Sequence, residues 1–386
     1  MNMSGTMPPQ ASQMTTLRRE AKAVGQTVLV LQGGGALGAY QAGVYHGLSE
    51  AGIEPDWVIG TSIGAINAAL IAGNAPAERL ARLKEFWDRV CHRSHAGADW
   101  LSIFGNAFAN MNTVTRGVSG FFEPNPEAAF GIHYPAGAGK AAYYLTDPLM
   151  KTLGELVDVA YVNRKAVRLT IGAVNVRSGS MRYFDSRDMD LGIAHVMASG
   201  ALPPAFPAIE IEGELYWDGG IYSNTPIEVV FDDNPRRDSL IFSVNLWQPN
   251  GPAPETIWQV AGRQKDIQFS SRGLSHVMRQ QQIHRLRHVI RELAKRLPKD
   301  AAADPAIREL VSYGCGTSMH LVRLLAPRLD NDDHTKDIDF TAAGIRQRWQ
   351  AGYEYIMQVI AQQPWDADVD PLTGIAIHEP EVAARP

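Results

Sequence analysis

The chain has 386 residues, of which 45% are hydrophobic and 20% charged; this excludes a mostly disordered protein and allows one large domain or a domain with an appendage. A formal net charge of -5 supplies no basic field for a phosphodiester backbone, so no nucleic-acid partner is expected. Two cysteines, Cys91 and Cys315, are too few and too far apart for a disulfide framework or a zinc site, and no metal is expected.

Residues 1–26 are read as a polar tail, because they lack the apolar core of a secretory signal. The most apolar long window, 58–73, is interrupted by Ser62 and Asn67 and is shorter than a bilayer span requires. With no leader and no transmembrane helix expected, a cytoplasmic location is the expectation.

From residue 27 the pattern alternates. "TVLVLQ" reads as a buried strand, "ALGAYQAGVYHGLSEAG" as a helix ending at Gly52, "DWVIG" as a second strand and "SIGAINAALIAG" as a second helix. That order predicts a mostly parallel sheet with right-handed crossovers, flanked by helices. A further helix is expected over 80–98.

Residues 99–147 turn to glycine, asparagine, proline and aromatics without clean periodicity, which suits either a cap over a site or an irregular buried insertion. "VRLTIGAVNV" and "GSMRYFDS" read as a hairpin around "RSG", "LGIAHVMASGAL" as a helix and "SLIFSVNLW" as another buried strand. Pro252 and Pro254 mark an expected boundary near 250, so that 27–250 form the main domain and 251–386 a mainly helical extension, with helices over 256–297 and 338–363.

Gly33, Gly35 and Gly38 fit the dinucleotide-binding spacing after a strand, and Asp56 lies about 20 residues on. Asp56, however, begins its strand, whereas a ribose-binding acid should end it. The strand ends instead at Gly60-Thr61-Ser62-Ile63-Gly64, a G-x-S-x-G turn from strand to helix. There Ser62 is either a nucleophile or a helix cap. Gly60 and Gly64 suit the first reading, since side chains two residues either side of a sharply presented serine would collide with the strand and the helix.

Two glycine-bearing βα turns in succession fall on one edge of a parallel sheet, so amides of Gly33, Gly34, Gly35 and Ile63 can face the Ser62 hydroxyl as an oxyanion hole, with Gly38 supporting the turn. Asp218, followed by Gly219 and Gly220, is either an ordinary Asp-Gly turn or a carboxylate base at a strand end. His195, His276, His284, His288 and His320 are candidate partners for a triad; none has a catalytic neighbourhood in the sequence, and surface or core positions are expected.

"GGGALGAYQAGV", "GTSIGAINAAL" and "DGGIYSNTPI", in this order, resemble the patatin-like phospholipases over roughly 27–230. The resemblance implies a three-layer α/β/α fold, a Ser62–Asp218 dyad without histidine, an oxyanion hole in the 33–38 loop, a lipid acyl ester as substrate and no cofactor. Gln32 stands where many relatives carry an acid, a difference expected to affect turn stability more than chemistry.

In the extension, "IHRLRHVIRELAKRL" places Ile283, Leu286, Ile290, Leu293 and Leu297 on one stripe among arginines and lysines. Such a helix either packs on the catalytic domain or makes peripheral contact with an anionic membrane. The expected function is a serine acyl hydrolase of lipid esters. The alternatives are an intracellular esterase for short acyl chains or storage polyester, a dinucleotide-binding module, and a lipid-binding scaffold with an incompetent dyad.

Overall fold

The structure is a computed structural model and describes residues 21–92, 115–131, 133–329 and 332–380. In chain order, β1 (Gln26–Leu31) passes through a glycine turn into α1 (Ala39–Glu50), followed by β2 (Trp57–Gly60), α2 (Ile63–Ala72) and α3 (Pro76–Arg89). The expected helix over 80–98 thus starts earlier, at a proline suited to a first helical position, and stops at Arg89; residues 93–98 lie outside the described residues.

Of the 99–147 insertion, 99–114 lie outside the described residues, and the remainder forms a short ladder between β3 (Glu123–Pro124) and β4 (Tyr144–Leu145) before α4 (Asp147–Leu156). Next come β5 (Arg168–Asn175), β6 (Met181–Asp185), α5 (Ile193–Ser199), β7 (Ile209–Ile211), β8 (Glu214–Asp218) and β9 (Ser239–Asn245). The last part contributes α6 (Ile257–Ala294), β10 (Met319–Leu325), α7 (Ala342–Gln362) and β11 (Ile375–His378).

One nine-stranded sheet runs β11-β10-β9-β1-β2-β5-β8-β7, with β6 also paired to β5. The run from β11 to β5 is parallel, whereas β6, β8 and β7 pair antiparallel, so the sheet is mixed. The expected hairpin is β5–β6. Apolar residues alternate between faces, as a pleated strand requires. Leu29 and Leu31 join the core beneath α1, α2 and α7, while Val28 and Val30 join a second core with Phe231 and Val277 on the other side.

Helix α2 is buried at every one of its ten positions, and α1 crosses α7 backbone to backbone. A Cβ on Gly43 would sit 1.9 Å from the Trp349 carbonyl oxygen, and one on Gly352 2.1 Å from that of Tyr40.

The placement of β8 brings the distant Asp218 to the serine turn. β2 pairs with residues 168–171 of β5, β6 with 170–174 and β8 with 173–175. A strand has two edges, and the overlaps put β6 on one and both β2 and β8 on the other. β8 therefore takes up the edge where β2 leaves it, and Asp218, opposite Ala173, lies just past Gly60, opposite Ile171.

The segment after 250, expected to be mainly helical, contains the expected helices and also β10 and β11, so the sheet continues through it. The apolar stripe divides: Leu286 and Leu293 are exposed and Ile283, Ile290 and Leu297 half-buried, while α6 buries Val277, Gln280, His284 and His288. Ala21, within the expected polar tail, is buried. No helix among the described residues is long and apolar enough to cross a membrane.

Candidate active site

Ser62 sits between β2 and α2 with φ 57° and ψ -127°, a conformation that costs a non-glycine residue roughly 1–3 kcal/mol. The turn is as tight as its glycines suggest. A Cβ on Gly60 would fall 2.3 Å from the Gly64 carbonyl oxygen, and one on Gly64 2.2 Å from that of Leu31. The Ser62 N–H donates to Ser199 Oγ at 3.0 Å, and the Ser199 hydroxyl donates to the Gly172 carbonyl at 2.6 Å, tying the turn to α5 and β5.

The first residues of a helix leave N–H groups without intrahelical partners. Among the described residues no hydrogen bond is made by the N–H of Gly34, Gly35 or Ile63, and all three residues line one cleft with Ser62. Gly33 differs from the expectation. Its N–H already donates to the Asn224 carbonyl at 3.2 Å, and its own carbonyl accepts from Trp247 Nε1 at 2.8 Å and Asn224 Nδ2 at 3.1 Å. It anchors the turn and must be glycine, because a Cβ there would meet Asn224 Oδ1 at 2.3 Å and Ser62 Cβ at 3.0 Å.

Gln32 is buried with every amide hydrogen-bonding capacity used: Nε2 donates to Thr225 Oγ1 at 2.6 Å and the Phe269 carbonyl at 3.1 Å, and Oε1 accepts from the N–H groups of Leu246 at 2.5 Å and Trp247 at 3.1 Å.

Asp218 ends β8, fully buried, with Oδ1 accepting from the Gly220 N–H at 2.7 Å and its own N–H donating to the Ala201 carbonyl at 3.0 Å. Burial pushes its carboxyl up to about 7, while hydrogen bonds from the Ser62 side chain and the Gly220 N–H act to lower it. Gly219 allows β8 to pass β5, since a Cβ would lie 2.5 Å from the Gly172 carbonyl oxygen; one on Gly220 would meet Asn224 Oδ1 at 2.8 Å. Gly38 packs under Ile63, where a Cβ would come within 2.5 Å of its side chain.

Ser62 and Asp218 open onto a cleft enclosing about 940 Å³, part of it solvent-filled. Its lining includes Phe121, Phe122, Tyr144 and Phe206 together with Trp247, Phe269, Ile338 and Phe340, the last three from beyond residue 250. The rings touch: Phe121 lies 5.8 Å from Phe340 and Trp247 4.9 Å from Phe269, centroid to centroid. An apolar, aromatic hollow with a buried carboxyl suits a hydrocarbon chain ending in a small polar group.

The candidate histidines are engaged elsewhere, and none lines this cleft. His195 packs on Phe184, His276 faces Glu228 at 3.5 Å, His284 and His288 meet at 3.2 Å, and His320 stacks on His378. Asp56 accepts from the Thr27 N–H at 2.9 Å at the amino end of β1, roughly 16 Å of strand rise from the glycine turn. No group of three or more His, Cys, Asp or Glu among the described residues is arranged to hold a metal ion.

Sequence reasoning missed Ser199, Asn224 and the cleft lining from beyond residue 250. Asn224 lies inside "DGGIYSNTPI" and could have been questioned there; Ser199, Phe269 and Phe340 carry no local signal.

Comparison with known proteins agrees with the motifs. The pattern described as patatin-like phospholipase matches residues 29–231, and one described as patatin phospholipase matches residues 267–372. Lysophospholipase nte1 of Aspergillus terreus is 27% identical over 259 residues, covering 61% of this chain and 14% of that protein. An uncharacterized NTE family protein of Mycobacterium tuberculosis strain H37Rv is 29% identical over 219 residues, covering 56% of this chain and 30% of its own length. The chain thus spans less than a third of the length of either relative. Among solved structures, VipD from Legionella pneumophila overlaps 87% of this chain and 67% of its own at 15% identity, with a TM-score of 0.38. With its three motifs in order and more than half of its length matched, this chain belongs to the patatin-like phospholipase family.

Proposed function

We propose that the chain is a serine hydrolase of lipid carboxylic esters, working through Ser62 and Asp218. The observation that carries this reading is a strained serine, a buried carboxyl raised to about 7 and unengaged N–H groups, all opening onto one apolar cleft. Asp218 accepts the Ser62 proton as Oγ attacks the ester carbonyl, and the N–H groups of Gly34, Gly35 and Ile63 hold the tetrahedral oxyanion, with the α2 dipole behind them. Asp218 then protonates the departing alkoxide. Water, deprotonated by Asp218, attacks the acyl-enzyme, and collapse releases the acid and restores Ser62.

A carboxyl near 7 accepts a proton better than an ordinary aspartate, near 3.9, would at neutral pH. Esters suit it better than amides, whose leaving group demands more of the acid. The Aspergillus relative's name makes a lysophospholipid the first substrate to test. Exposed Leu286 and Leu293, between basic residues of α6, support peripheral contact with an anionic membrane.

The test is acid release from a lysophospholipid, a diacyl phospholipid and short p-nitrophenyl esters by wild type, Ser62→Ala and Asp218→Asn. Release by wild type and not by the variants supports the reading. Unimpaired release by Ser62→Ala would overturn it, and tight dinucleotide binding without ester turnover would favour the rival class.

A further inference from the structure

Part of the cleft wall, Trp247, Phe269, Asp337, Ile338 and Phe340, comes from outside the span that carries the three motifs. Two Lys-Asp dipeptides face one another there in reciprocal order, Lys265-Asp266 on α6 and Lys336-Asp337 on the turn before α7. Lys265 Nζ donates to the two Asp337 carboxylate oxygens at 2.8 and 2.9 Å, and Lys336 Nζ donates to Asp266 Oδ1 at 2.7 Å. The second pair is buried, and Lys336 also lies over the Trp247 ring at 5.3 Å. Reciprocal order fixes register: a slip of one residue would set Lys265 against Lys336 in one direction, or Asp266 against Asp337 in the other.

What this clasp holds is the turn that touches the glycine loop. Gly35 has φ 55°, and the Asp337 carbonyl oxygen lies 2.2 Å from where a Cβ on Gly35 would be, so the two backbones are in contact. Ile338 and Phe340, immediately after, line the cleft. Phe269, one turn along α6 from Lys265, lines it too, and its carbonyl accepts from Gln32 and Asn224, which anchor the glycine turn and the segment after Asp218.

We infer that Lys265, Asp266, Lys336 and Asp337 are positioning residues for the Gly34–Gly35 N–H donors, and that Phe340 sets acyl-chain preference. This inference rests on the hydrolase reading above. An oxyanion contact is made only in the transition state, so a displaced glycine loop lowers kcat and leaves KM nearly unchanged. A wall residue acts instead on the chain it touches.

The experiment compares kcat and KM for butanoyl and octanoyl p-nitrophenyl esters, normalised to Ser62 sites titrated with a fluorophosphonate, in full-length variants. Lys265→Met is expected to lower kcat per titrated site by at least about fivefold with KM within about twofold, and the exchange Lys265→Asp with Asp337→Lys to restore it. A purely structural pair would reduce the number of titratable sites and leave kcat per site alone. Unchanged kcat per site in Lys265→Met, or an exchange variant no better than the single one, overturns the positioning role; Asp337→Asn gives the same reading if Lys265→Met does not fold.

Phe340→Ala is expected to raise the octanoyl-to-butanoyl ratio of kcat/KM by about fivefold or more, and an unchanged ratio removes its assigned role. A wild type that neither takes the probe nor cleaves any ester would locate the failure in the hydrolase reading, whereas an active wild type with indifferent variants would locate it in the clasp.

Discussion

Ser62 and Asp218 are both held in states their side chains resist, one by backbone torsion and the other by burial. Asp218 must be ionised to accept a proton, so the activity of the free protein is expected to rise with pH to half its plateau near 7, the value to which burial raises the carboxyl. Asp218→Asn is expected to lower kcat/KM by roughly 10²–10⁴-fold, with that rise abolished; a pH–rate profile checks both.

The same group shapes stability. Its unfolded carboxyl titrates near 3.9, so between about pH 4 and about pH 7 the folded state binds more protons than the unfolded one, and stability falls as pH rises through that window. Asp218→Asn has no proton to lose, and its stability relative to wild type is expected to climb from pH 4.5 to pH 8. Denaturant midpoints of the two proteins at both pH values measure this.

At the scale of elements, the site depends on two consecutive βα turns and on a strand that takes over an edge. The turns are legible because local sterics dictate their residues: no side chain fits at Gly60 or Gly64 once the chain reverses so sharply. The handover from β2 to β8 along β5 is not legible, since nothing in residues 209–218 says which edge they join. Ser199 is hidden for a similar reason, its sequence reading only as part of a helix.

Its hydroxyl accepts from Ser62 and donates to Gly172, so Ser199→Ala leaves a half-buried N–H and a buried carbonyl without that partner. The expected cost is about 1–3 kcal/mol in denaturant unfolding, together with a lower kcat as the Ser62 turn loosens. A variant with wild-type stability and turnover would show that the turn holds itself.

Across the whole molecule, the expected boundary near 250 falls inside the sheet. β10 has a readable apolar run, "MHLVRLL", but its partner β9 lies far earlier in the chain, and the helical periodicity on either side of it masks the strand. A chain ending at 250 would leave β9 with an open edge and the cleft without Phe269, Ile338 and Phe340. Such a truncation is expected to be insoluble or unreactive toward esters, which expression and turnover assays would show.

On the proposed mechanism, residues 34–35, 62–63 and 218, far apart in sequence, converge on one tetrahedral carbon, Asp218 through the attacking Ser62 oxygen and the N–H groups through the oxyanion. The most direct test is fluorophosphonate labelling of the full chain followed by peptide mapping. The phosphonyl group is expected on Ser62 alone, slowed strongly in Asp218→Asn. A label on another serine, or equal labelling of Ser62 with and without the Asp218 carboxylate, would contradict it.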